Sequence, residues 1–109
     1  MKNFENLGLS EAFLKLLEKA NLIEPSEIQE KTIPLVMQGK DVIGNSATGS
    51  GKTLAFGSGI IEAVIPGKGL QSLILTPTRE LAEQIGEVFR KFSKYKNLNI
   101  SIVYGGVNI

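Results

Sequence analysis

The 109-residue sequence has no cysteine and no histidine. Their absence excludes a Cys/His metal site, a disulfide framework, a cysteine nucleophile and a Ser-His-Asp triad, because each lacks its reacting atoms. A chain without cysteine fits a reducing compartment, here expected to be the cytoplasm. Long apolar runs are missing too. Nothing approaches the roughly 20 residues of a membrane span, and the opening Met1-Lys2-Asn3-Phe4-Glu5-Asn6 lacks a signal peptide's apolar stretch. The expectation is a soluble protein with no membrane partner. An excess of one charge is also lacking: 12 basic against 11 acidic residues give a net charge of +1 and no electrostatic footprint for nucleic acid. Nucleic-acid binding must therefore be argued from motifs. The one local basic excess, Arg90, Lys91, Lys94 and Lys96, lies where a helix is expected to end, so these cations face the negative end of its dipole.

What is present is 42% hydrophobic residues in a length sufficient for one core, with an expected radius of gyration of about 13 Å. Ser10 caps a first expected helix in which Phe13, Leu16, Leu17 and Ala20 recur at helical spacing, up to a turn around Asn21. After Pro25, Ser26 opens a second helix with Ile28, Ile33, Val36 and Met37 toward the core, Pro34 kinking or restarting it, and Gly39 as its stop. Asp41 to Gly44 reads as a strand, Ser46 to Gly51 as a small-residue loop, and Lys52 to Ile65 as a helix with Leu54, Ala55, Ile61 and Val64 available for packing. After the turn Pro66-Gly67-Lys68-Gly69, Ser72 to Thr76 reads as a strand buried on both faces, because it does not alternate with polar residues. Leu81, Ala82, Ile85, Val88, Phe89 and Phe92 form an apolar stripe on a helix from about Arg79 to Lys94, and Ile100 to Tyr104 reads as a last strand. The expected fold class is α/β, a parallel sheet with flanking helices in the order β-α-β-α-β, preceded by two helices. Residues 1–40 form the helical region and 41–109 the α/β region, with no helix to cover the last strand, as in the amino-terminal piece of a larger domain.

Ser46-Ala47-Thr48-Gly49-Ser50-Gly51-Lys52-Thr53 lies between an expected strand and an expected helix, the place of a phosphate-binding loop. Glycines let the backbone approach phosphate oxygens, so that successive N–H groups and the helix amino terminus face the anion. Lys52 would reach the β- and γ-phosphates and the Thr53 hydroxyl would bind Mg²⁺. The usual pattern begins with Gly, and Ser46 stands in that place.

Ser26-Glu27-Ile28-Gln29 is a capping box, with Gln29 reaching back from the third helical position. The same carboxamide offers a donor beside an acceptor, matching the N6 and N7 edge of adenine, where guanine presents two acceptors. Gln29 alone leaves both readings open. Pro77-Thr78-Arg79-Glu80 also has two. It is an ordinary helix start with Thr78 as cap, or a hydroxyl, a guanidinium and free N–H groups that suit a phosphodiester backbone without reading its sequence.

These segments together carry a resemblance. Asn21 to Gln29, with Phe4 lying 17 residues ahead of Asn21, resembles the adenine-recognising Q motif of DEAD-box ATP-dependent RNA helicases. Ser46 to Thr53 resembles that family's motif I, where Ala is usual at the place of Ser46. Pro77-Thr78-Arg79-Glu80-Leu81-Ala82 matches its motif Ia, and Gly105-Gly106 resembles the double glycine that follows. Asn21, Leu22 and Ser26 replace the usual Gly, aromatic residue and Thr. The resemblance implies the first part of a RecA-like phosphate-loop NTPase domain that binds ATP or ADP with Mg²⁺. It implies that Phe4 stacks on adenine, Gln29 hydrogen-bonds its edge, Pro25 belongs to the nucleotide-binding residues, and Ser26 helps link that segment to the phosphate loop. Without the family, Phe4 reads as a terminal core residue. Pro77, Thr78, Arg79, Gly105 and Gly106 are then expected near single-stranded or duplex RNA, held by its sugar-phosphate backbone.

The family's Asp-Glu-Ala-Asp motif and its second RecA-like domain are absent from this sequence, so the chain alone is expected to bind nucleotide without hydrolysing it or unwinding RNA. An RNA-independent phosphate-loop ATPase or kinase, and a nucleotide-binding scaffold, are the alternatives. Self-association is expected through an exposed sheet edge.

Overall fold

Three serine and threonine hydroxyls set where helices begin. The computed structural model describes residues 3–45 and 51–105, and helices α1 (Glu11–Lys19), α2 (Glu27–Met37), α3 (Lys52–Ala63) and α4 (Arg79–Phe92) follow a 3₁₀ turn at Phe4–Leu7. Ser10 Oγ accepts from the Phe13 amide, Ser26 Oγ from Gln29, and Thr78 Oγ1 from Leu81, so each satisfies one amide that has no partner within its helix. Asn21, at φ 61°, turns the chain after α1. α2 continues through Pro34 as one helix rather than restarting there, and Gly39, at φ 79°, follows its end.

The core is a single cluster formed by the 3₁₀ turn and the four helices. Phe13, Leu17, Ile33 and Ile61 are completely or almost completely buried, and Phe4, Leu54, Phe89 and Phe92 pack with them. Phe13 meets Phe92 at 5.7 Å between ring centroids and Tyr95 edge-on at 6.3 Å. α2 and α3 approach so closely that a Cβ on Gly59 would collide with the Val36 side chain, which is why a glycine occupies the middle of α3.

Two long-range polar contacts tie the helical layer together. Glu62 on α3 accepts from both the Ser10 amide and the Ser10 hydroxyl, at 3.0 and 2.8 Å. Lys96 donates through Nζ to the carbonyls of Ile61 and Glu62, both at 2.7 Å, and of Val64 at 3.0 Å. Of the basic group expected to face the end of one helix, Arg90 and Lys91 do lie in the last turn of α4. Lys96 instead caps α3, where its charge meets that helix's unpaired carbonyls.

The expected parallel sheet is not formed: among the described residues there is no strand, and the architecture is all-helical. Residues 41–45, 72–76 and 100–104 join no ladder. The physical reason lies in how their side chains are shared between two faces. Ile74 and Ile100 pack on the helical core, while Leu73 and Leu75 are 75% and 85% exposed and Ile43 is 99% exposed. A parallel sheet needs helices on both faces, and here apolar cover exists on one side only. The reading of Ser72 to Thr76 as buried on both faces is corrected accordingly, and the sheet edge expected to mediate self-association does not exist among the described residues.

Candidate functional site

α3 is the helix expected to carry a phosphate loop, and its start differs from the other three. Gly51, its N-cap residue, adopts φ 87° and ψ 27°, and no side chain caps the helix. The Gly51 carbonyl accepts the first intrahelical bond, from the Ala55 amide at 3.1 Å. Lys52 is exposed and Thr53 half-buried in the first turn. Ser46, Ala47, Thr48, Gly49 and Ser50 lie outside the described residues.

Against this start lies Gln29. Its side chain is buried, and both ends of the carboxamide are engaged: Oε1 accepts from the Ser26 amide at 2.9 Å, and Nε2 donates to the Gly51 carbonyl at 3.2 Å. The capping box is therefore formed. The two readings of Gln29 are compatible, because an amide group has two N–H donors and its oxygen two lone pairs. One N–H and one lone pair remain beyond these bonds. Gly51 must be glycine twice over, for its left-handed backbone and because a Cβ there would collide with the Gln29 amide and come within 3.2 Å of Ser26 Oγ. Pro25, buried just ahead of Ser26, completes this corner.

Phe4 is 4% exposed and belongs to the core cluster, the position of a terminal core residue.

At the start of α4, Pro77, Thr78 and Arg79 are exposed. Thr76 Oγ1 donates to the Thr78 carbonyl at 2.9 Å, steadying the approach to the helix. The Arg79 guanidinium lies over the Tyr104 ring, 5.1 Å from its centroid, and donates through Nη2 to the Gly105 carbonyl at 3.1 Å. Arg79 and Gly105, 26 residues apart, are thus brought together. Gly106 lies outside the described residues. Reading the sequence did not single out Tyr104. The available signal was an aromatic residue directly before a double glycine.

Residues 26–109 match the family described as DEAD/DEAH box helicase. The chain is 47% identical over 107 residues to the ATP-dependent RNA helicase CshA of Limosilactobacillus reuteri, covering 97% of this chain and 22% of that protein. Its structure is similar to that of a DEAD box protein from Methanococcus jannaschii, with a TM-score of 0.94 and 38% identity over 99% of this chain and 30% of the other. It is also similar to Saccharomyces cerevisiae Dbp5 bound to RNA and ADP BeF3, with a TM-score of 0.82 and 35% identity over 88% of this chain and 25% of that one. The chain thus spans about a fifth to a third of the length of these relatives. The match of most of the sequence to one family, together with the Gln29–Gly51 corner and the Arg79 surface, leads to one conclusion: this chain belongs to the DEAD/DEAH box helicase family.

Proposed function

We propose that this chain is the nucleotide-binding portion of an ATP-dependent RNA helicase, acting in the cytoplasm together with a second RecA-like domain outside this sequence. The observation that carries the reading is the Gln29 Nε2 bond to the Gly51 carbonyl, which joins an adenine-reading side chain to the start of a phosphate-binding helix.

In this reading the uncapped first-turn amides of α3 and the exposed Lys52 hold phosphate oxygens, by backbone donors, helix dipole and a point charge. Ser46, Ala47, Thr48, Gly49 and Ser50 belong to the same phosphate-binding motif by their place in the sequence. The remaining N–H and lone pair of Gln29 read the adenine edge, and Ser26 keeps that side chain beside Gly51. The donor set fits Mg²⁺ in part: Thr53 offers one hydroxyl oxygen, and nucleotide phosphates supply others, as is usual for this ion. ATP with Mg²⁺ brings the phosphoryl group whose transfer to water powers the parent enzyme. This chain's residues bind and orient the nucleotide, whereas the acidic and cationic groups needed for turnover belong to the rest of the parent.

Thr78, Arg79 and the α4 amino terminus, with Pro77 and Gly105, contact the sugar-phosphate backbone of single-stranded or duplex RNA, and Gly106 is assigned to the same contact by its place in the motif. The bare apolar side chains Ile43, Leu73 and Leu75 support association between copies of this chain at high concentration.

The test is a titration of fluorescent ADP in the presence of Mg²⁺, competed by ATP and GTP, on the wild-type chain, Gln29→Ala and Lys52→Ala. Adenine preference is expected to disappear in the first variant, and overall affinity to fall about tenfold or more in the second, as loss of a charge-assisted phosphate contact implies. A folded wild-type chain that binds neither nucleotide, or binds ATP and GTP equally, sinks the reading.

A further inference from the structure

Arg79 is the first residue of α4, at the positive end of that helix's dipole. A guanidinium is electrostatically misplaced there, so its conformation calls for a cause outside the helix. The cause is the segment that returns 26 residues later, which offers the face of Tyr104 at 5.1 Å and the Gly105 carbonyl at 3.1 Å. Neither contact neutralises the charge. An aromatic face attracts a cation through its quadrupole, and a carbonyl takes up one N–H of the five that a guanidinium carries. Arg79 is thereby held in place while it stays exposed and, among the described residues, commits only one of its donors.

This is the arrangement that a phosphate contact needs. A free arginine loses much side-chain freedom when it docks on an anion, and a planar fork that is already oriented loses less. We propose that Tyr104 is a positioning residue for RNA binding. Its ring, with the Gly105 carbonyl, fixes the Arg79 guanidinium at the start of α4 so that the remaining N–H groups meet a backbone phosphate without first being ordered. The inference rests on the reading of this end of α4 as an RNA surface. It adds that the aromatic character of residue 104, and not its hydroxyl, sets the strength of the Arg79 contact.

The experiment has two readouts on the same proteins: the wild-type chain, Tyr104→Phe, Tyr104→Leu, Arg79→Ala and the double variant Arg79→Ala/Tyr104→Leu. The first is the Arg79 Nε–H resonance without RNA, which a ring overhead displaces. The second is the affinity for a labelled oligouridylate by fluorescence anisotropy. The displaced resonance should persist in Tyr104→Phe and move to the ordinary arginine position in Tyr104→Leu. RNA affinity should be unchanged in Tyr104→Phe and about two- to fivefold weaker in Tyr104→Leu, the range of an exposed cation–π contact. Tyr104→Leu should weaken binding no further once Arg79 is alanine. An undisplaced resonance in the wild type overturns the proposal. So does an equal effect of Tyr104→Leu with and without Arg79, which marks Tyr104 as merely structural. If the resonance is displaced but Arg79→Ala leaves RNA affinity untouched, or the wild type binds no RNA, the RNA reading of this surface fails and takes the inference with it.

Discussion

The Gln29 side-chain amide donates to the Gly51 carbonyl at 3.2 Å across 22 residues of sequence, joining the start of α2 to the start of α3. Because Gln29 also receives the Ser26 amide, the corner is stiff at its centre while keeping hydrogen-bonding capacity in reserve.

Gly51→Ala should damage this corner from two directions. The left-handed backbone at φ 87° disfavours any Cβ, and the added methyl would push on the Gln29 carboxamide. A loss of about 1–3 kcal/mol is expected, read as a lowered midpoint in urea unfolding, with weaker ADP binding in the same samples. Wild-type stability in this variant would show that the corner yields easily.

Lys96→Met keeps most of the aliphatic stem and removes three hydrogen bonds to the end of α3. The expected cost is about 1–2 kcal/mol, toward the lower part of the range for acceptors left without a charged donor, because these bonds are only part-buried. Urea unfolding would report it, and hydrogen exchange should quicken at the carboxyl end of α3 before it does in α1. A change confined to the α4 end would contradict the assignment of Lys96 to α3.

Tyr95 makes alkaline stability a readout of the α1–α3 contact. Burial first, and the neighbouring Glu62 charge second, push its phenol up to about 12 from the ordinary 10.0. Its hydroxyl lies beside Ser10 and Glu62 without the geometry of a hydrogen bond to either. The neutral phenol is the form favoured by folding, so this contribution is fully present below pH 10 and is lost as pH rises toward 12. Tyr95→Phe should therefore lose less stability between those values than the wild type does, as chemical denaturation at a series of pH values would measure. Parallel losses in the two proteins would refute it.

Leu73 and Leu75 stand 75% and 85% exposed, on either side of Ile74, which packs on the helical core. Changing both to Ser should alter unfolding free energy by no more than about 0.5 kcal/mol, as at other surface positions, while reducing association in sedimentation velocity at high concentration. Unchanged association would place the contact elsewhere.

Much of the helical layer was legible because its determinants are local. Ser10, Ser26 and Thr78 each bond an amide three residues on, so the starts of α1, α2 and α4 follow from short stretches of sequence. The expected helices over Lys52 to Ile65 and Arg79 to Lys94 exist, ending two residues earlier, at Ala63 and Phe92. The strands were misjudged for a reason of the same kind. An apolar run such as Leu73-Ile74-Leu75 expresses a preference for burial but does not supply the second covering layer or the paired backbone that a sheet requires.

The sequence by itself determined the family, the helix starts and the residue types at the candidate site, since motif spacing and capping act over a few residues. Tertiary structure alone decided that Gln29 meets Gly51, that Lys96 caps α3 rather than α4, that Phe4 is core, and that Tyr104 lies under Arg79. Those contacts join residues 22 or more positions apart, or depend on which side of an element is covered. Packing the helices around one core is what brings such partners within reach.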